Sequence, residues 1–150
     1  MRVIALDPGV TTGYAIGVID GGHMYVVTGE ERWNHLAFWV FLHENDPDVV
    51  ISERFEFRNK ARKGLELFSR ELIGVANLYV QIGYSKPHEL VLQNPLKDNE
   101  STFFNDDRLK KDKIHKAGKG HANDAARHLL TWYQFRSGFQ YNQSGYESGV

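Results

Sequence analysis

Three acidic residues stand where apolar segments of the chain give out: Asp7 after RVIAL, Glu53 after DVVIS, and Asp124 in GHANDAARHLL, three residues beyond His121. A carboxylate at the inner end of a buried strand has to find a partner, because an unpaired charge taken out of water is strongly unfavourable. Brought side by side, the three acids repel one another unless a cation holds them, so the partner to expect for Asp7 is a metal ion. His121 and Asp124 share one face of a helix and complete the candidate ligand set. Hard carboxylates with at most one imidazole suit Mg2+ or Mn2+ rather than zinc. Two such ions about 4 Å apart can activate a water and stabilise a leaving oxygen in phosphodiester cleavage. Each residue also has an ordinary role. Asp-Pro-Gly forms turns, Glu53 can pair with Arg54 or Arg70, Asp124 suits a helix N-terminus, and His121 can cap a helix or lie on the surface.

The elements that must position these groups follow from the apolar pattern. RVIAL, TGYAIGVI and MYVVTG, the last after Asp20-Gly21-Gly22, read as three strands of an antiparallel meander. WNHLAFWVFLHEN, with Leu36, Trp39, Val40 and Phe41 on roughly one side, predicts a helix stopped by Asn45-Asp46-Pro47. DVVISERF reads as a buried strand. GLELFSRELIGVANLYVQIGY spaces Leu65, Phe68, Leu72, Val75, Leu78 and Ile82 for a long amphipathic helix. ELVLQNP is a last strand, residues 97–118 are polar and broken by Gly118, and residues 122–135 are helical again. The order β-β-β-α-β-α-β-α implies a mixed five-stranded α/β sheet with helices on both faces. If the first and fourth strands are neighbours, Asp7 and Glu53 end side by side, and the last helix lays its first turn over them.

With 150 residues and 41% hydrophobic content, the chain supports one core of ordinary size. We expect one domain over residues 1–136 and a flexible tail, rich in Gly, Ser, Asn and Gln, over residues 137–150. No apolar run has the length of a membrane span, and Asp7 and Pro8 interrupt the N-terminal one, so neither a span nor a signal peptide is expected and the location is cytoplasmic. The absence of cysteine excludes disulfides, thiolate zinc sites and a cysteine nucleophile. Although the net charge is only −1, twelve of the 18 Lys and Arg fall in two short segments, residues 54–70 and 108–119. Such clustering is a footprint of phosphate-backbone binding, or of two solvated loops.

ALDPGVTTGYA, VVISERF and HANDAARHLL, in this order and spacing, resemble the RuvC-type Holliday-junction resolvases of the RNase H-like superfamily, especially phage-encoded members. The resemblance covers about residues 2–135. It implies an RNase H-like fold, a homodimer in the (host) cytoplasm, two Mg2+ or Mn2+ ions per active site, and symmetric nicking of four-way DNA. Asp7, Glu53 and Asp124 match the family's three acidic ligands, and His121 falls where many members have Asp and some His. Members carry an aromatic residue shortly after the Glu that contacts the junction centre, a place shared here between Phe55 and Phe57. On this reading Lys113, Lys116 and Lys119, with Lys110 and Lys111, hold phosphates near the site, and Arg54, Arg58, Lys60, Arg62 and Lys63 grip the junction arms. DPGVTTG also resembles the first phosphate loop of actin-like ATPases, which close two such domains around a nucleotide where this chain has length for one. An RNase H or a YqgF-like RNA-processing enzyme would share the metal chemistry, and a non-catalytic DNA-binding protein would share the fold and the basic segments.

Overall fold

The computed structural model describes residues 1–54, 63–94, 103–136 and 146–148. The elements are β1 (Arg2–Asp7), β2 (Thr12–Asp20), β3 (His23–Glu31), α1 (His35–Asn45), β4 (Val49–Glu53), α2 (Lys63–Ile82), β5 (Glu89–Gln93), α3 (Asp106–Lys111), α4 (Gly120–Phe135) and β6 (Tyr146–Ser148). They form one sheet in the order β5-β4-β1-β2-β3-β6. The meander β1-β2-β3 is antiparallel, whereas β4 runs parallel to β1 and β5 parallel to β4. All five expected strands are present. A sixth, of three residues within the stretch read as a tail, pairs in parallel with β3 at Met24, Tyr25 and Val26.

Side-chain alternation along β1 splits the core into two layers. Val3 and Ala5 face α4, where they pack with Ala125, Ala126, Leu129 and Leu130. Ile4 and Leu6 face the opposite side and meet Phe38 and Leu42 of α1 and Leu72, Ala76 and Tyr79 of α2. Helices therefore cover both faces, as the alternating order of elements requires.

Three local expectations are corrected. The apolar residues of α1 run round its circumference, so no single stripe marks the buried side. Phe38 and Leu42 are buried, while Leu36 (70% exposed) and Val40 face outward. On α2 the buried stripe is Leu72, Ala76 and Tyr79, and Leu78 and Ile82 lie on the exposed side with Leu67. The polar stretch 97–118 contains α3, started by Asn105, whose Oδ1 accepts from the Arg108 amide at 2.9 Å, and anchored by buried Leu109.

Candidate functional site

Strand register places the first two acids. Leu6 of β1 pairs with Ser52 of β4, so Asp7 and Glu53 are the next residues at the carboxyl ends of adjacent parallel strands. The first turn of α4 crosses this edge and brings His121 Nδ1 to 2.7 Å from Asp7 Oδ2. Burial pushes the Asp7 carboxyl above its usual pKa; the His121 contact opposes that shift, and the negative fields of Asp124 and Glu53 add to it. The hydrogen bond to Asp7 holds the His121 imidazole above its usual value, with Glu30 and Asp124 contributing further negative field. His121, Glu53 and Asp124 thus all act electrostatically on Asp7.

Within it the fold holds the acids in pairs. Glu53 Oε2 lies 3.2 Å from His128 Nε2. Asp124 pairs with Arg127, which also reaches Asp106. Among the described residues, no three acidic or histidine side chains already stand close enough to enclose an ion. The donor set nevertheless fits a hard divalent cation. It offers three carboxylates and one imidazole, and a cation would offset both the burial of the Asp7 carboxylate and the smaller negative fields of Asp124 and Glu53 on it. The described pairings use Glu53 Oε2 and Asp124 Oδ1, and the second oxygen of each carboxylate is the one to offer to an ion.

The DPGVTTG stretch supplies more than Asp7. Buried Thr12 donates from Oγ1 to the Gly9 carbonyl at 2.9 Å and closes the turn after β1. Gly13 pairs with Asp7 across the β1-β2 ladder. A Cβ at Gly13 would lie 1.9 Å from the His121 carbonyl oxygen, so only glycine admits α4 this close. The residue preceding α4 is Lys119, which makes no side-chain cap. Glu30 of β3 takes that role: its Oε1 accepts from the His121 amide at 3.0 Å and from the Ala122 amide at 3.3 Å. Sequence reasoning missed Glu30. The available signal was the lack of Ser, Thr, Asp or Asn before α4, which leaves the orphan amides to a distant group.

The basic residues divide. Phe55, Phe57, Arg58, Lys60 and Arg62 lie outside the described residues, and Lys63 opens α2. Arg54 follows Glu53, with its amide donating to the Gln93 carbonyl at 2.5 Å. Lys110 and Lys111 are exposed on α3, and Lys113 follows it with φ of 58°. Lys116 is tied into the fold: its Nζ donates to the Thr28 carbonyl, and its backbone exchanges hydrogen bonds with the Asn123 side chain at 2.9 Å each way. Lys119 stays largely exposed, with Nζ 4.0 Å from Glu30 Oε2. Together with Thr11, Glu30, Glu31 and Arg32 it lines a cleft of about 430 Å³ beside the first turn of α4.

This sheet order, with acids at the β1 and β4 ends and a closing helix across them, is an RNase H-like α/β fold. The chain matches Thermus thermophilus RuvC in complex with Holliday junction substrate with a TM-score of 0.63 at 17% identity, over 89% of this chain and 94% of that one. A second Thermus thermophilus RuvC structure matches at 0.61 and 16% identity, over 89% and 95%. The yeast mitochondrial Holliday junction resolvase Ydc2 matches at 0.57 and 15% identity, over 87% and 77%. No family model matches the chain, and no curated protein matches it by sequence.

Proposed function

We propose that the chain is a divalent-metal-dependent, structure-selective DNA endonuclease that resolves four-way junctions by paired nicking. The observation that carries this reading is the placement of Asp7 and Glu53 at adjacent strand ends, with His121 of the first turn of α4 at 2.7 Å from Asp7 and Asp124, just beyond that turn, adding its negative field. Asp7, Glu53, Asp124 and His121 would hold Mg2+ or Mn2+, which when bound supplies Lewis acidity and charge neutralisation at a scissile phosphate. Asp7 and His121 exchange their mutual hydrogen bond for that task. Lys119 beside the site, and Lys110, Lys111 and Lys113 further along, hold the phosphate backbone. The resolvases matched in structure support this assignment as relatives in fold. Incubating the protein and Mg2+ with a synthetic four-way junction and an RNA–DNA hybrid of the same sequence should give paired nicks in the junction alone. Cleavage confined to the hybrid overturns the junction reading in favour of an RNase H-like activity.

Paired nicks need two sites facing one junction, which a two-fold dimer supplies. The outward residues Leu67, Leu78 and Ile82 of α2 offer a helical apolar stripe for it. Light scattering should report about twice 17.2 kDa, and Leu78→Asp should shift the population toward monomer. A monomer that still makes paired nicks removes the dimer from the proposal.

His121 sets the acid limb. Imidazole binds a metal only when deprotonated, and Asp7 holds the His121 proton to higher pH than in a free imidazole. Activity should therefore begin to fall above about pH 6.5 on acidification, and His121→Asp should keep its activity to lower pH. Imidazole is also the softer ligand, so the wild type should favour Mn2+ over Mg2+ more than His121→Asp does. Identical acid limbs and metal ratios for the two proteins exclude His121 as a ligand.

A further inference from the structure

We propose that Gln93 and His128 form a buried relay that aims Glu53, making both positioning residues for the metal-binding carboxylate. This inference rests on the reading of Glu53 as a metal ligand. Glu53 and Gln93 are direct partners across the β4-β5 ladder, and His128 of α4 sits over the pair. His128 is 2% exposed and Gln93 1%, so each polar atom needs a partner inside the protein. Gln93 Nε2 donates to the His128 carbonyl at 3.3 Å, which orients the amide so that its Oε1 faces the ring. That oxygen lies 2.8 Å from His128 Nδ1, within hydrogen-bond distance. The reverse amide orientation would set two oxygens against each other. The ring is thereby oriented with Nε2 toward Glu53 Oε2 at 3.2 Å.

The placement on α4 is what turns this contact into a device. His121, Asp124 and His128 occur at intervals of three and four and share one helical face. The first reaches Asp7 and the last reaches Glu53, so a single helix registers against both strand-end acids. Glu53 would otherwise be a partly exposed side chain at the end of a strand, free to sample rotamers. With Oε2 held by His128, its Oε1 is the oxygen to present to an ion. Groups of this kind behind a ligand typically change metal affinity about tenfold to a hundredfold when removed.

Mn2+ titration by calorimetry on the full chain tests the relay without relying on cleavage. His128→Phe keeps a buried ring and should weaken Mn2+ binding by about tenfold or more, while metal-free junction binding stays unchanged. His128→Gln, which can still donate to Glu53, should recover most of the loss, and Gln93→Leu should lose affinity in the same direction. In a Glu53→Gln background His128→Phe should have no further effect, because the relay acts only through Glu53. Wild-type Mn2+ affinity in His128→Phe, or an additive loss in the double variant, overturns the relay while leaving the nuclease reading intact. If the wild type binds no Mn2+, the metal reading fails, and long-range proton–nitrogen NMR of the metal-free protein decides the relay. Glu53→Gln should then move the His128 ring resonances, and unmoved resonances overturn it. Should His128→Phe fail to fold, the His128→Gln and Gln93→Leu titrations carry the same comparison.

Discussion

Asp7→Asn, Glu53→Gln and Asp124→Asn should each reduce junction nicking by on the order of a thousandfold while leaving junction binding in place. Each amide keeps the size and part of the hydrogen bonding of the acid but removes the charge that a divalent ion needs. Asp7→Asn carries a second signature. The folded protein raises the Asp7 pKa, chiefly through burial, so the folded state binds this proton more tightly than the unfolded chain. Stability associated with Asp7 is therefore fully present below the ordinary carboxylate value and is lost as pH rises through the folded value. Asp7→Asn should melt at or above the wild-type temperature near neutral pH in EDTA, with the gain shrinking toward about pH 4. A substitution that leaves nicking near wild type removes its residue from the site. Loss of nicking together with loss of fold would reassign the acid to stability.

The acids were legible in the sequence because each follows a segment whose pattern fixes its own ending. RVIAL and DVVIS are continuous apolar runs that fit buried parallel neighbours, and the alternation of strand and helix after the meander allows β4 to lie beside β1, the pairing the structure shows. HANDAARHLL announces both a helix and its polar end. The face that each surface helix buries was less legible. α1 is apolar all round, so only the tertiary packing that buries Phe38 and Leu42 breaks the tie. On α2 several rotations of the helix bury comparable apolar surface, and contact with β4 and α1 selects Leu72, Ala76 and Tyr79. Glu30, Gln93 and His128 were not legible as site residues. Their partners lie 91, 35 and 75 residues away in sequence, and no local spacing encodes such a meeting. His128 in particular reads as one polar residue among the apolar positions of a core helix, and only the Glu53–Gln93 register reveals why it is there.

Gly13→Ala should damage both stability and nicking, by a route that separates placement of α4 from general overpacking. The added methyl would lie 1.9 Å from the His121 carbonyl oxygen, 2.1 Å from its carbon and 2.8 Å from the Ala122 amide. All three are backbone atoms and cannot rotate aside. Relief therefore requires the first turn of α4 to move off β2, which strains the Glu30 hydrogen bonds to His121 and Ala122 and draws His121 away from Asp7. Overpacking of this kind typically costs about 1–3 kcal/mol, and a displacement of about 1 Å at a reacting centre costs roughly a hundredfold in rate. Gly17 of the same strand is the control. A Cβ there meets the Met24 sulfur at 3.0 Å and the Leu129 methyls at 3.1 and 3.2 Å, side-chain ends that can shift in the core without touching the first turn of α4. Gly17→Ala should lower the melting temperature and leave nicking by the folded protein near wild type. Gly13→Ala should lose nicking by about a hundredfold even well below its melting temperature. Equal nicking by the two variants under folded conditions would show that the close approach of β2 to His121 does not position the site, and the Glu30 hydrogen bonds would then have to hold the α4 terminus in place.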